Sequence, residues 1–140
     1  MQKASTLLLV TILLLSSTLQ VTAEAHPEAK QEVRTQAAKG ILQKEKEVSL
    51  LYVKGLCCLS CAIGIRLKLS KLIFVNQKRF KKGIDMDPKT QLVTVAVKKG
   101  RKVDHDEIEK KVGDAGYDAM EWYTLEGDNL KAHPFSKQKP

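Results

Sequence analysis

The chain has 140 residues, 5% of them aromatic, with three cysteines and a formal net charge of +8. At this length only about 60% of the unfolded surface can be buried, so we expect one small domain with a thin core. A basic charge suits nucleic-acid binding. The aromatic residues are, however, too few and too scattered for a base-stacking platform, so nucleic acid is not an expected partner.

The first 25 residues have the pattern of a secretory signal. Lys3 is positively charged, residues 7–15 are apolar except for Thr11, and Ala23-Glu24-Ala25 is a small-x-small cleavage site. The apolar run is too short and wrongly flanked for a stable membrane span. The pattern predicts cleavage after Ala25, export to the periplasm or out of the cell, and no stable membrane insertion afterwards. An uncleaved anchor is the alternative.

Residues 26–46 are polar, with alternating charges and few large apolar side chains. They are interpreted as a linker or a short helix, because they lack a strong apolar stripe. His26 would become the first residue after cleavage, where its amine and imidazole together could chelate copper. An uncommitted residue in a loose tail is the simpler interpretation of His26.

A domain is predicted to begin at residue 47. The β-rich run over residues 48–53 ends at Gly55 and predicts a strand followed by a turn. Apolar residues then recur at helical spacing and predict a helix with one buried face. The positions on that face are Cys61, Ile65, Leu69, Leu72 and Ile73.

The second half of the domain is predicted to be a hairpin, a helix and a strand. Residues 83–97 contain two β-rich runs around a turn at Pro88. Asp104 and Glu107 have the spacing of a capping box, which predicts the start of a helix that ends at Gly116. Residues 119–125 predict the last strand.

The predicted order is therefore β-α-β-β-α-β over residues 47–125. This order predicts the α+β class and a ferredoxin-like sandwich, with an antiparallel four-stranded sheet and two helices on one face. Residues 126–140 contain Gly127, Pro134 and Pro140 among many polar residues and are predicted to be a flexible tail.

The three cysteines lie within five residues, at Cys57, Cys58 and Cys61. A disulfide scaffold would have an even number spread along the chain, so a tight odd cluster indicates a local chemical site. Cys58 and Cys61 have C-x-x-C spacing at the start of the first predicted helix, where the helix dipole stabilises thiolates. Cys57 is a candidate third ligand, a resolving thiol or a spare.

Two segments of the chain resemble heavy-metal-associated domains. The run Gly55-Leu56-Cys57-Cys58-Leu59-Ser60-Cys61-Ala62 is similar to the family's G-M-x-C-x-x-C motif, and Asp114-Ala115-Gly116-Tyr117 is similar to the D-A-G-Y that ends its second helix. With the signal peptide, the resemblance implies an exported mercuric-ion-binding or copper-binding protein. It implies Cys58 and Cys61 as metal ligands and Tyr117 as the aromatic residue beside the metal loop. Leu56 replaces the family's Met and is expected to pack inward in its place.

The expected cargo is Cu(I) or Hg(II), because thiolates are soft ligands and both ions accept low coordination numbers. A structural zinc site would need four ligands, so zinc is disfavoured. The expected recipient is a metal-transporting membrane protein or another metal-binding domain, and no acid–base pair predicts an enzyme. Other interpretations stay open: a thiol–disulfide redox protein using the same pair, structural cysteines, or an interaction module with degenerate metal binding.

The remaining charged residues predict no second site. His105 and His133 have no partner in the sequence and are treated as surface residues. Several basic residues are most simply a solvated face, with docking onto an acidic partner or attraction to a membrane surface as alternatives. They are Lys68, Lys71, Lys78, Arg79, Lys81 and Lys82.

Overall fold

The computed structural model describes residues 28–138, apart from the side chains of Leu59, Cys61 and Gln138. The predicted signal peptide and His26 lie outside the described residues. Three helices and five strands follow in the order α1 Gln31–Lys44, β1 Val48–Lys54, α2 Leu59–Leu69, β2 Ile84–Asp87, β3 Leu92–Ala96, α3 His105–Asp114, β4 Asp118–Glu126 and β5 Asn129–Pro134. A short 3-10 turn, Ser136–Gln138, ends the described chain.

The strands form one sheet in the order β2-β3-β1-β4-β5, and every neighbouring pair is antiparallel. The predicted α+β class and antiparallel sheet are confirmed. The prediction of four strands is wrong, because the chain turns at Gly127 and pairs residues 129–134 with β4. The alternation in β5 is weak, with Lys131 and Pro134 among its exposed residues, and therefore has little apolar signal in the sequence.

The main core lies between one face of the sheet and the helices α2 and α3. One buried apolar cluster includes Leu51 and Val53 of β1, Ile65 of α2 and Ile108 of α3. The helix α2 begins within the C-x-x-C segment, and α3 begins within the predicted capping box. Asp104 caps α3 as expected, since its Oδ1 accepts a hydrogen bond from the backbone N–H of Glu107 at 2.9 Å.

The opposite face of the sheet is covered by α1, which lies in the segment interpreted as a linker or short helix. Ala38 is fully buried against Leu50, Tyr52 and Tyr123 of the sheet. The guanidinium carbon of Arg34 lies 3.5 Å from the centre of the Tyr52 ring, a cation–π contact. The helix thus packs through small and amphipathic side chains, which explains why its sequence shows no strong apolar stripe.

The helix α2 ends earlier than its apolar spacing predicts. Leu69 is its last residue, and although Leu72 is buried in the core, Ile73 is 75% exposed. The chain then crosses to the sheet edge, where the backbone N–H of Asn76 donates to the carbonyl of Ala96 at 2.8 Å. Ile73 therefore does not belong to the buried face predicted for it.

The C-terminal segment packs onto the domain. Phe135 is 2% exposed and is among the largest side chains of the main core. Glu109 of α3 accepts hydrogen bonds from the Ser136 hydroxyl and from the backbone N–H of Lys137. The prediction of a flexible tail is wrong for these residues, because one buried aromatic side chain and a buried carboxylate attach the segment to α3.

Candidate metal site

The loop between β1 and α2 brings the three cysteines to one end of the sheet. Gly55 has φ +82°, a left-handed conformation that glycine adopts at little cost. The backbone N–H of Ala62 donates to the carbonyl of Cys58 at 3.3 Å, which makes Cys58 the residue from which α2 starts. Cys61 follows within the first helical turn. The C-x-x-C sequence therefore spans the helix N-terminus, as predicted.

Cys58 lies beside Ser60 at the N-terminus of α2. Its Sγ lies 3.5 Å from the hydroxyl oxygen of Ser60, a distance at which a hydroxyl can donate to a thiolate. The first turn of α2 contains no acidic residue, whereas Arg66 and Lys68 lie in its last turn. The positive end of a helix dipole is in general favourable to a thiolate, and no acidic side chain of this turn opposes it.

Cys57 and Cys58 are both half-buried. Cys57 stays a candidate third ligand, a resolving thiol or a spare. Among the side chains that the structure describes, which exclude that of Cys61, no three His, Cys, Asp or Glu residues are grouped as metal ligands.

Leu56 and Tyr117 pack next to the cysteine loop. Leu56 is completely buried and belongs to the main core, in the inward orientation expected from its place in the motif. A Cβ added to Gly55 would lie 3.6 Å from Cδ1 of Tyr117, so the Tyr117 ring packs against the turn that precedes the cysteines. One aliphatic and one aromatic side chain thus flank the loop from the core and from the end of α3.

The histidines form a feature that sequence reasoning missed. His105 and His133 stack on opposite faces of Trp122, with ring centroids 3.8 Å and 4.1 Å from that of the indole and planes within 18° and 17° of it. The interpretation of both histidines as plain surface residues is therefore wrong. The signal for this contact is that His133 lies directly opposite Trp122 in the β4–β5 pairing, which requires the unpredicted strand β5.

The environment of His105 favours its neutral form. Burial lowers the pKa of His105 below its ordinary value of 6.5, the proximity of His133 lowers it further, and Asp104 and Asp106 partly oppose both effects. His105 Nε2 lies 3.4 Å from the Ser49 hydroxyl. The stack lies at the N-terminus of α3, away from Tyr117 and the cysteine loop at the other end of that helix.

The basic run 78–82 includes one side chain with a structural function. Arg79 donates to the carbonyl of Lys46 at 2.6 Å and forms a 2.7 Å ion pair with Glu45. This attaches the run to the turn between α1 and β1, so Arg79 is not part of a merely solvated face. Lys78, Lys81 and Lys82 remain exposed, as predicted.

The basic run lies at the start of β1, whereas the cysteine loop follows its end. Seven residues of strand separate the two, which corresponds to roughly 20 Å at about 3.3 Å per residue. The lysines are therefore remote from the candidate ligands.

Residues 28–138 contain no helix long and apolar enough to cross a membrane.

Comparisons with known proteins do not extend the resemblance to heavy-metal-associated domains. The similarity to heavy-metal-associated domains rests on the loop and on the segment ending at Tyr117. No family model, curated protein or solved structure matches the chain.

Proposed function

We propose that this chain is an exported protein of the heavy-metal-associated type that holds Cu(I) or Hg(II) between the thiolates of Cys58 and Cys61. The observation that carries the proposal is the position of the C-x-x-C pair across the N-terminus of α2. Cys58 is the residue from which the helix starts, and Cys61 lies in the first turn.

The chemistry of this donor set suits a soft ion of low coordination number. Two thiolates supply a soft environment, which selects Cu(I) and Hg(II) over hard cations. Zinc prefers four ligands. Cys57 is the one remaining thiol of the chain, so a third thiolate ligand within the same protein would have to be Cys57.

The topology supports the same proposal. The order β2-β3-β1-β4, with α2 and α3 on one face, is compatible with a ferredoxin-like core that is extended by β5 and covered by α1. In such a core the first strand-to-helix loop and the end of the second helix meet at one end of the sheet. At this end the Tyr117 ring packs against Gly55.

We infer that the ion leaves by stepwise ligand exchange. A thiolate of the recipient forms a bond to the metal, and the bond from one of the two cysteines then breaks, so that the coordination number rises by one and returns. The recipient is a metal-transporting membrane protein or another metal-binding domain. The half-buried Cys58 allows such an approach from solvent.

Titration of the reduced protein with Cu(I), Hg(II) and Zn(II), followed by intact-mass spectrometry, tests the proposal. We expect one Cu(I) or Hg(II) per chain and weaker zinc binding. Replacing both Cys58 and Cys61 by Ser should abolish binding, because it removes both soft ligands. Wild-type affinity in that double variant would place the metal elsewhere.

The variant Cys57→Ser is the matched control, since it removes one thiol from the same loop. If Cys57 is a spare thiol, stoichiometry and affinity stay nearly unchanged. A tenfold loss of affinity, about 1.4 kcal/mol, would make Cys57 a third ligand. A protein that binds no metal but readily forms a Cys58–Cys61 disulfide would instead be a thiol–disulfide redox protein.

A further inference from the structure

Two segments at the end of the sheet opposite the cysteine loop are basic throughout. Residues 70–83 and 97–103, hereafter the basic end, contain nine of the 24 lysines and arginines and no aspartate or glutamate. The nine are Lys71, Lys78, Arg79, Lys81, Lys82, Lys98, Lys99, Arg101 and Lys102.

Hydrogen bonds hold the two segments side by side. The backbone N–H of Lys98 donates to the carbonyl of Phe74 at 2.8 Å, and its Nζ donates to the carbonyl of Ile73 at 2.7 Å. Val75 and Val97 form an isolated antiparallel bridge. The two segments therefore lie next to each other at this end of the sheet.

Carboxylates border this surface on two sides. Glu45 pairs with Arg79, the exposed Glu47 lies beside Val97, and the carboxylates at the start of α3, including Asp104, follow beyond Lys102. The lysines at positions 71, 78, 81, 82, 99 and 102 are exposed to solvent.

The same surface presents two apolar side chains to solvent. Ile73 is 75% exposed, the largest exposure among the large hydrophobic residues that the structure describes, and Phe80 is 39% exposed. Phe80 has φ +51°, a backbone conformation that is uncommon for an aromatic residue and raises the energy of the turn. Ile73 lines a shallow cavity with Arg101, Lys102 and the carboxylates at the start of α3. Phe80 lines another with Glu45, Asp85 and the end of α1.

We propose that the basic end is a docking surface for anionic lipid bilayers. Lysines near an anionic membrane surface are attracted by long-range electrostatics, and Ile73 and Phe80 enter the interface between headgroups and acyl chains. Exposed apolar side chains among lysines suit a lipid interface, whereas binding to the phosphate backbone of a nucleic acid rests on charge and gains nothing from them. The proposal does not depend on metal binding by the cysteine loop.

Co-sedimentation of the full chain with lipid vesicles tests this proposal. We expect binding to vesicles of phosphatidylcholine mixed with phosphatidylserine, and a decrease as salt is raised, because salt screens exposed charges. Vesicles of phosphatidylcholine alone measure any binding through the apolar residues 7–15. The difference in binding between the two lipid compositions measures the contribution of the basic end.

Two variants probe the surface and two matched variants serve as controls. Reversing Lys99 and Lys102 to Glu should weaken binding to the anionic vesicles at least tenfold, and Ile73→Ser should weaken it about fivefold. Reversing Lys54 and Lys89 to Glu, at the opposite end of the sheet, and Ile63→Ser, an exposed position on α2, make the same changes elsewhere. Both controls should bind like the wild type, and circular dichroism should show that all four variants are folded.

Equal binding to both kinds of vesicle would overturn the proposal, as would equal losses in the control variants. Binding to a DNA duplex without binding to anionic vesicles would also overturn it and make the basic end a nucleic-acid surface.

Discussion

At the scale of single residues, the stacked histidines have a measurable pH dependence. Because burial lowers the pKa of His105 in the folded state, the unfolded chain binds the proton more readily than the folded chain does. The contribution of His105 to stability is therefore complete above its ordinary pKa of 6.5. It decreases as the pH falls below that value.

We accordingly predict that the free energy of unfolding falls between neutral pH and about pH 5, and that His105→Gln reduces this pH dependence. Urea unfolding at several pH values, followed by the fluorescence of Trp122, measures both effects, since Trp122 is the chain's single tryptophan. The two proteins should be compared at each pH, because carboxylates also titrate at the acid end. A pH dependence that is the same in both would contradict the assignment to His105.

At the scale of secondary-structure elements, β5 and the segment after it are the largest departure from the sequence-based expectation. We predict that Phe135→Ala lowers the free energy of unfolding by about 3–5 kcal/mol, because it leaves a cavity in a thin core. Urea denaturation of the full chain measures the loss. Lys131→Ala, an exposed position on β5, should change stability by less than about 1 kcal/mol. A similarly small loss for Phe135→Ala would mean that the C-terminal segment contributes little to the core.

The elements that the sequence predicted well are those with a local periodic signal. The strand before Gly55, the hairpin around Pro88 and the capped helix at Asp104 all occur close to their predicted positions. Leu72 and Ile73 continue the apolar spacing after the helical hydrogen bonds stop, so this spacing overestimates the length of α2. The strand β5 gives little signal because an edge strand needs few apolar residues.

For the candidate site too, the sequence predicts the local features but not the long-range contacts. The position of Cys58 at the start of a helix follows from local sequence, and the contact between Tyr117 and the loop was expected from the family resemblance. The histidine–tryptophan stack depends on the register of β4 with β5 and on the position of α3. Such long-range contacts leave no periodic signal in the sequence.

At the scale of the whole molecule, the cysteine loop and the basic end occupy opposite ends of the sheet. The separation of roughly 20 Å along β1 exceeds the Debye length of about 8 Å at physiological ionic strength. Electrostatic effects of the lysines on a recipient bound at the cysteine loop should therefore be small. The run 78–82 should therefore contribute little to the electrostatic attraction of an acidic recipient to the cysteine loop.

We predict that reversing Lys81 and Lys82 to Glu leaves the metal affinity unchanged, because neither side chain reaches the thiolates. The rate of metal transfer to an acidic recipient should change less than about twofold at physiological salt. Stopped-flow transfer at two salt concentrations measures this. A large slowing at low salt that disappears at high salt would instead show that the recipient contacts the basic run.

The two edge strands of the sheet determine how readily it pairs with another chain. Unpaired backbone groups on an exposed edge can template pairing with another chain, and short, charged or proline-containing edge strands suppress this. One edge here is the four-residue β2, which contains two aspartates, and the other is β5, which carries Lys131 and ends at Pro134. Both edge strands therefore carry features that disfavour pairing with the sheet of another copy.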